Sequence, residues 1–442
     1  MATIKFIVFL EFYMLIYLDM KGLLKDIRIY SVIISFIFFT SGTSYALTLD
    51  EAVSLAKENL PSYKASLIKV RSSEALYDAS LAPYLPGLDA STSQKRIYTS
   101  KEFSTRMYDL TLSYTLFDGG KRRANRDIAG LNLNIDKEDA RKNLLELEYN
   151  IKAAFYTALA QKETVEQRKI QLQDAQKDHE VAEGRYKFGV AKLSDVLQAS
   201  VRLEQARYNL IQAEGDFKKA LSELNSLIGK SLDSQYDIAG SLDIAIKLPD
   251  RNKLSDIALQ RPEVKQAENS LEISRSNKSL ANSAFYPSLQ LSTSYSKTEG
   301  GAFRTSFPEE KTAGITATWN IFELGKFFKQ KSSELEKGVS LEKLNDLKRI
   351  VLLDVHKTYE DFITASNKLK VAQQQLKQAE HNYSQAFGEY KVGKADILSL
   401  VQAESLLSSA REQLISSKLN LILSKALLEK ITGVEKLESL SH

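Results

Sequence analysis

The sequence predicts a mainly helical protein with a small β part, built from two copies of one unit and organised around long coiled-coil helices. Three observations carry that reading. All seven prolines fall outside two tracts, Lys121 to Ile228 and Lys326 to Ile431, so each tract can be helical except at an internal turn. The chain also matches itself: Gly184, Tyr186, Lys187, Gly189, Ala191, Gln198 and Ala199 recur as Gly388, Tyr390, Lys391, Gly393, Ala395, Gln402 and Ala403, shifted by 204 residues without a gap. Finally, each copy carries short segments that alternate apolar and polar residues, a period of two and not of 3.6.

The opening residues read as a leader. Lys21, Lys25 and Arg28 precede the apolar run Ile29 to Phe39 and the small-x-small site Ser44-Tyr45-Ala46, the order of a cleaved export signal. The run is shorter than the roughly 20 apolar residues of a spanning helix. Met20 would start a conventional signal by itself, which makes residues 1–19 an extension or a misassigned start. This divides the chain into a leader at 1–46, a first repeat at 47–228, a linker at 229–250, a second repeat at 251–432 and a tail at 433–442.

Each repeat has the same order: a helix entered after a proline (Pro61, Pro262), two alternating segments, a very long helix, a tight turn and a returning helix. The long helices, Lys121 to Tyr186 and Lys326 to Tyr390, each reach about 100 Å at 1.5 Å per residue. Val196, Ala199, Leu203, Ala206, Leu210, Ala213, Phe217, Ala220 and Leu224 follow a 3,4 alternation on the first returning helix. Leu400, Ala403, Leu407, Ala410, Leu414, Ser417, Leu421, Ser424 and Leu428 repeat it on the second. Two seam positions per heptad specify a coiled coil. Small residues at alternate positions let neighbouring backbones approach closely.

The alternating segments are expected to be membrane strands. Leu110, Leu112, Tyr114 and Leu116 alternate with Asp109, Thr111, Ser113 and Thr115. Leu289, Leu291 and Tyr295 alternate with Gln290, Ser292 and Ser294, and Ala313, Ile315, Ala317, Trp319 and Ile321 with Gly314, Thr316, Thr318 and Asn320. A fourth segment, Leu88 to Tyr98, alternates poorly and is assigned from its counterpart at Leu289 to Thr298. About ten residues of period two, apolar outside and hydroxyl-rich inside, fit a transmembrane barrel. Tyr114 and Trp319 lie near strand ends, where interfacial aromatics collect. Four strands cannot close a barrel, so copies of the chain must share one. Two copies give a lumen filled by side chains, whereas three leave room for a passage.

Other chemistry finds little support. The chain has no cysteine, which excludes disulfides, thiolate metal sites and an acylated N-terminal cysteine. Its 60 basic and 56 acidic residues are interspersed, so nucleic acid is not suggested. His179, His356, His381 and His442 lack metal-ligand spacing. Gly229-Lys230-Ser231 resembles the end of a phosphate loop but follows a helix, and reads as a helix stop. No catalytic residue, cofactor or metal is expected. The turn-rich linker is expected to pack as a belt around the middle of the assembly.

The ordered duplicate set resembles the TolC-like outer-membrane efflux proteins from about Leu47 to Gly433. It comprises Asn59-Leu60-Pro61 with Arg261-Pro262, Tyr84-Leu85-Pro86 with Tyr286-Pro287-Ser288, Phe117-Asp118-Gly119-Gly120 with Phe322-Glu323-Leu324-Gly325, and the two Tyr-x-x-Gly turns. The resemblance implies a homotrimer in which long coiled-coil helices form a trimeric α-barrel. A shared 12-stranded transmembrane β-barrel, with Leu110, Leu112, Tyr114, Leu291, Tyr295, Ile315 and Trp319 toward outer-membrane lipid, continues it. It implies two partners, a periplasmic adaptor (membrane fusion) protein and an inner-membrane pump of RND, ABC or MFS type. The tip turns at Tyr186, Gly189, Tyr390 and Gly393 would dock the adaptor, and Asp195, Gln198, Asp396, Ser399 and Gln402 would line the periplasmic entrance. Family members often carry acids six and nine positions after the tip glycine; here those places hold Asp195 and Gln198, then Ser399 and Gln402, so half of the expected acidic ring is missing. The function implied is passive conduction, with small-molecule efflux favoured over polypeptide secretion. The competing class is a soluble periplasmic coiled-coil scaffold without a pore.

Overall fold

The structure is a computed structural model that describes residues 46–98, 102–244, 250–300, 309–434 and 437. The leader through residue 45 and most of the tail, His442 included, lie outside the described residues. Two compact units are present. In the smaller, Leu47 pairs with Ile238 as a parallel bridge: its N–H donates to the Asp237 carbonyl at 2.8 Å, and its carbonyl accepts from the Ala239 N–H at 3.0 Å.

The larger unit contains the repeated elements. The first copy runs α1 (Leu49–Asn59), α2 (Pro61–Ala79), β1 (Gly87–Ile97), β2 (Phe103–Phe117), α3 (Lys121–Lys187) and α4 (Leu193–Ile228). The second runs α5 (Arg251–Ala258), α6 (Pro262–Ser283), β3 (Ser288–Gly300), β4 (Glu309–Thr318), α7 (Leu324–Lys391) and α8 (Ile397–Thr432). Pro61 and Pro262 sit at the first helical positions, where a missing N–H costs nothing. Each is preceded by a short helix that the proline separates from the next. Gly229 and Gly433 end α4 and α8 in the left-handed conformation, both at φ 72°, so Gly229-Lys230-Ser231 is a helix stop.

α3 and α7 span 67 and 68 residues, and each folds back on its returning helix. Ala199, Ala206, Ala213 and Ala220 of α4 are buried, as are Leu400, Ala403, Leu407, Ala410, Ser417, Leu421 and Leu428 of α8. The seam positions therefore face their partners as heptads require. α6 packs on both α3 and α7, and α3 also touches α8. Around α5 and α6, Leu254, Val264 and Leu271 form one buried cluster with Leu344, Val351, Val355 and Leu428. No helix among the described residues is long and apolar enough to cross a membrane.

The four strands form one antiparallel sheet in the order β1-β2-β3-β4, so β2 and β3 join the two copies. Its register sorts side chains by face. Leu88, Leu112, Thr293 and Ala313 lie in one row, and Tyr114, Leu291 and Ile315 in another on the same face. Ser113, Ser292 and Gly314 share the opposite face, with Thr111, Ser294 and Thr312 one step along. Two expectations need correction. A bulge between Thr115 and Phe117 places Phe117, not Leu116, opposite Leu289, because the extra residue in a bulge shifts the phase of alternation. β4 also stops at Thr318, the partner of Ser288 where β3 begins; beyond it Trp319 donates its indole N–H to the Phe285 carbonyl at 3.1 Å, so Trp319 and Ile321 lie outside the strand.

The turns between sheet and rods differ between copies. In the first, Asp118 accepts from the N–H groups of Gly120 and Arg122 at 3.1 and 2.8 Å. Gly119 has φ 68°, and a Cβ there would meet the Ser283 carbonyl oxygen at 2.6 Å, which excludes any larger residue. In the second, α7 begins directly after Glu323, and buried Lys326 donates to the Asn320 carbonyl.

Candidate functional site

The far ends of the two hairpins are the candidate site, and the two hydrogen bonds that close each turn are duplicated there. After α3 the Gly189 N–H donates to the Tyr186 carbonyl at 2.9 Å and the Val190 N–H to the Arg185 carbonyl at 2.9 Å. After α7 the Gly393 N–H donates to the Tyr390 carbonyl at 3.0 Å and the Lys394 N–H to the Glu389 carbonyl at 2.8 Å. Both are Schellman turns, which need a left-handed residue after the helix cap. Gly189 and Gly393 supply it at φ 72° and 81°. Each helix thereby satisfies its last carbonyls and reverses within a few residues.

Side chains break the symmetry. Tyr390 is 1% exposed, in a shared core with Ala182, Ala199, Ile397 and Leu400, whereas Tyr186 is 46% exposed. The structure thus brings the two tips together, with the second tip's tyrosine inside the contact. The returning helices are capped differently too. Asp396 caps α8 by accepting from the Ser399 N–H at 2.9 Å and its hydroxyl at 2.8 Å, and these bonds hold its carboxyl below the usual range. On α4, Asp195 sits three residues inside the helix and accepts from the Lys192 N–H at 3.3 Å. Ser399 is therefore occupied by the cap. Gln198 and Gln402 are exposed.

Further from the tips, a polar contact crosses between the hairpins that the sequence reading missed. Tyr383 of α7 donates to Asp178 of α3 at 3.2 Å, and Arg411 of α8 pairs with Asp174 of α3 at 3.5 Å. Arg168 of α3 donates to Ser408 of α8 at 3.2 Å. Within this contact Asp178 and Glu404 are 6% and 7% exposed. Burial, reinforced by the nearby charge of Glu404, pushes the Asp178 carboxyl up to about 7. Burial also raises Glu404, opposed by Arg202 of α4. The available signal was seam spacing: Ala175, Asp178 and Ala182 stand three and four apart, which puts a carboxylate where a small apolar residue belongs.

The sheet holds the remaining predicted residues. Leu110, Leu112, Tyr114, Leu291, Tyr295 and Ile315 occupy one face by register, and Leu110, Leu112, Leu291 and Ile315 are exposed within the protomer. Among the described residues no group of histidine and acidic side chains is placed to hold a metal ion.

Two duplicated rods with abutting tips, joined by an open sheet with one apolar face, define a protein of the channel-forming class. The outer membrane efflux protein family matches residues 52–230 and 254–434, and the chain belongs to that family. It is 22% identical to the pyoverdine export outer membrane protein OpmQ of Pseudomonas putida, over 87% of this chain and 85% of that protein. It is 24% identical to the toluene efflux pump outer membrane protein TtgC of P. putida, over 87% and 82%. Among solved structures, CusC covers 87% of this chain and 92% of its own at TM-score 0.78 and 18% identity. The MtrE outer membrane channel of Neisseria gonorrhoeae, in its open state, covers 87% and 89% at TM-score 0.76 and 19% identity. This chain is accordingly an outer-membrane channel protein of an efflux system, reaching from the outer membrane into the periplasm.

Proposed function

We propose that three copies of the chain close a twelve-stranded barrel, and that the resulting pore passively conducts small molecules delivered by an inner-membrane pump through a periplasmic adaptor. The observation that carries this reading is the sheet: four strands with an apolar face, and with β1 and β4 as open edges. Lipid does not tolerate unpaired edges, and a barrel completed by neighbouring copies removes them. Leu110, Leu112, Tyr114, Leu291, Tyr295 and Ile315 then face lipid, with Trp319 at the rim. The hydroxyl row through Thr111, Ser113, Ser292, Ser294, Thr312 and Thr316 faces water.

At the opposite end the exposed turn around Tyr186 and Gly189, and the turn at Gly393 beside buried Tyr390, dock the adaptor. Asp195, Asp396, Ser399, Gln198 and Gln402 line the entrance. Small-molecule cargo is supported by the relatives' names, pyoverdine export and toluene efflux. The pump, of RND, ABC or MFS type, supplies the energy. Purified mature protein in planar bilayers should give stable conductance steps. Because the chain has no cysteine, single cysteines report cleanly: Leu112→Cys and Ile315→Cys should react with lipid-dissolved probes, and Ser113→Cys and Thr316→Cys with aqueous ones. A soluble protein that never conducts, or the reverse labelling pattern, overturns the proposal.

A further inference from the structure

The two returning helices end in the same stop, and in each the residue that closes the stop with its backbone also reaches out with its side chain. Gly229 and Gly433 are the left-handed residues after α4 and α8. The following N–H donates back across the stop, from Lys230 to the Asn225 carbonyl at 2.9 Å and from Val434 to the Glu429 carbonyl at 3.1 Å. Asn225 and Glu429 are 0% and 4% exposed, and buried polar side chains need partners. Each finds one in the chain that leaves its own helix. Asn225 Nδ2 donates to the Leu232 and Ser234 carbonyls at 3.2 and 2.9 Å, and the Ser222 hydroxyl also donates to the Leu232 carbonyl at 3.0 Å. Glu429 Oε1 accepts from the Leu437 N–H at 3.2 Å.

We propose that Asn225 and Glu429 are matched hooks of opposite hydrogen-bond polarity, and that the second makes the tail a strap across the two repeats. An amide holds the linker by its carbonyls; a carboxylate holds the tail by an N–H. An ionised carboxylate only accepts, so Glu429 could not hold the carbonyls that Asn225 holds, whereas the amide binds them without bringing a charge into the core. The charge of Glu429 is matched by two lysines. Lys152 of α3 pairs with it at 2.7 Å, and Lys425, one turn earlier on α8, at 3.6 Å. Lys152 belongs to the first repeat. One buried carboxylate thus joins α3, α8 and the tail.

The end of the strap is apolar. Leu437 is 0% exposed and packs in one cluster with Leu254 of α5, Val264 of α6, Val351 and Val355 of α7 and Leu428 of α8. Leu232, three residues after its own glycine, is 57% exposed. The first hook therefore shapes a turn, while the second seats a side chain in a core of four helices. Burial of the leucine supplies the hold. Because apolar contact has no direction of its own, the bond to Glu429 fixes where the strap lies.

Amide hydrogen exchange on the whole mature protein in detergent reads both hooks, because the Leu437 N–H is itself the donor. Lys152→Met combined with Glu429→Met removes both members of the ion pair, so that neither is left buried alone. It should speed exchange of the Leu437 amide and of α5 by about tenfold or more, the effect of losing a hydrogen bond to a charged group, while the Ser234 amide keeps its wild-type rate. Asn225→Asp sets acceptor against acceptor and should do the reverse: faster exchange at Ser234, whose N–H closes a turn on the Ser231 carbonyl at 3.0 Å, and unchanged protection at Leu437. Glu223→Gln, at an exposed acid of α4, should match the wild type. Wild-type protection of Leu437 in the double variant, or loss at both straps in either variant, overturns the hooks. If the double variant does not fold, Leu437→Ala decides: it keeps the Glu429–Lys152 pair and should still speed exchange in α5 by about tenfold or more, and an unchanged α5 would remove the strap. None of these readouts depends on conductance, so the hooks stand or fall apart from the channel reading.

Discussion

Tyr186 and Tyr390 occupy equivalent places in two turns with the same hydrogen-bond pattern, yet one ring lies in solvent and the other is sealed between the hairpins. The same holds along the rods. Leu407 is 3% exposed in the second seam, whereas its counterpart Leu203 is half-buried. Duplication has preserved the backbone requirements, which are severe, while the side chains have diverged in the surroundings they meet. The left-handed position after a helix cap admits glycine at both tips. The helix faces around it can turn inward to the sister hairpin or outward.

The comparison can be broken by mutating matched positions, and the largest effect belongs to the seams. Leu407→Ala should cost about 2–5 kcal/mol, the usual range for a buried leucine, and Leu203→Ala roughly half of that. Urea midpoints of the purified protein measure both. Equal costs would mean that Leu203 is covered in the assembly by a neighbouring copy, which sharpens the contrast into one between intra- and inter-protomer seams.

A middle-sized effect is expected at Asp178, whose counterpart is Asn382. A carboxyl raised to about 7 binds its proton more tightly in the packed hairpins than in separated ones, where its value is about 4. Hairpin packing is therefore favoured at low pH, weakens as pH rises from about 4 through about 7, and is level above that. The melting temperature should be lower at pH 8 than at pH 5. Asp178→Asn, which writes the second copy's residue into the first, should flatten that difference; an unchanged pH profile in D178N would remove Asp178 from the contact.

The smallest effects concern the caps. Asp396→Ala removes the N-cap of α8 and should lower amide protection in its first turn. Asp195→Ala, which removes an acid inside the first turn, should cost about 0.5 kcal/mol. Amide hydrogen exchange in the first turns of α8 and α4 reads these separately, and equal loss of protection would erase the difference between the tips.

Much of this fold was legible because its signals are local and doubled. The prolines that open α2 and α6, the glycines that close the tips and the heptads of α4 and α8 each act within a few residues and occur twice. β1 was found through its counterpart, since Gly87–Ile97 alternates poorly by itself. The misses have physical causes. The bulge at Thr115 to Phe117 depends on how β2 lies against β3, and the end of β4 depends on where β3 begins. Asp178 looked like an ordinary polar residue of a long helix. Its partner, Tyr383, stands 205 residues away along the chain.

The sequence by itself determined the duplicated plan, the length of the rods, the sites of reversal and the alternation that gives the sheet an apolar face. Each follows from covalent geometry and short-range periodicity, which need no knowledge of neighbours. Only the tertiary structure decided which hairpin face turns inward, which tyrosine is sealed and which charges meet across the hairpins. Those outcomes depend on burial and on charge pairs closed over long loops, quantities that exist only once both copies have packed together.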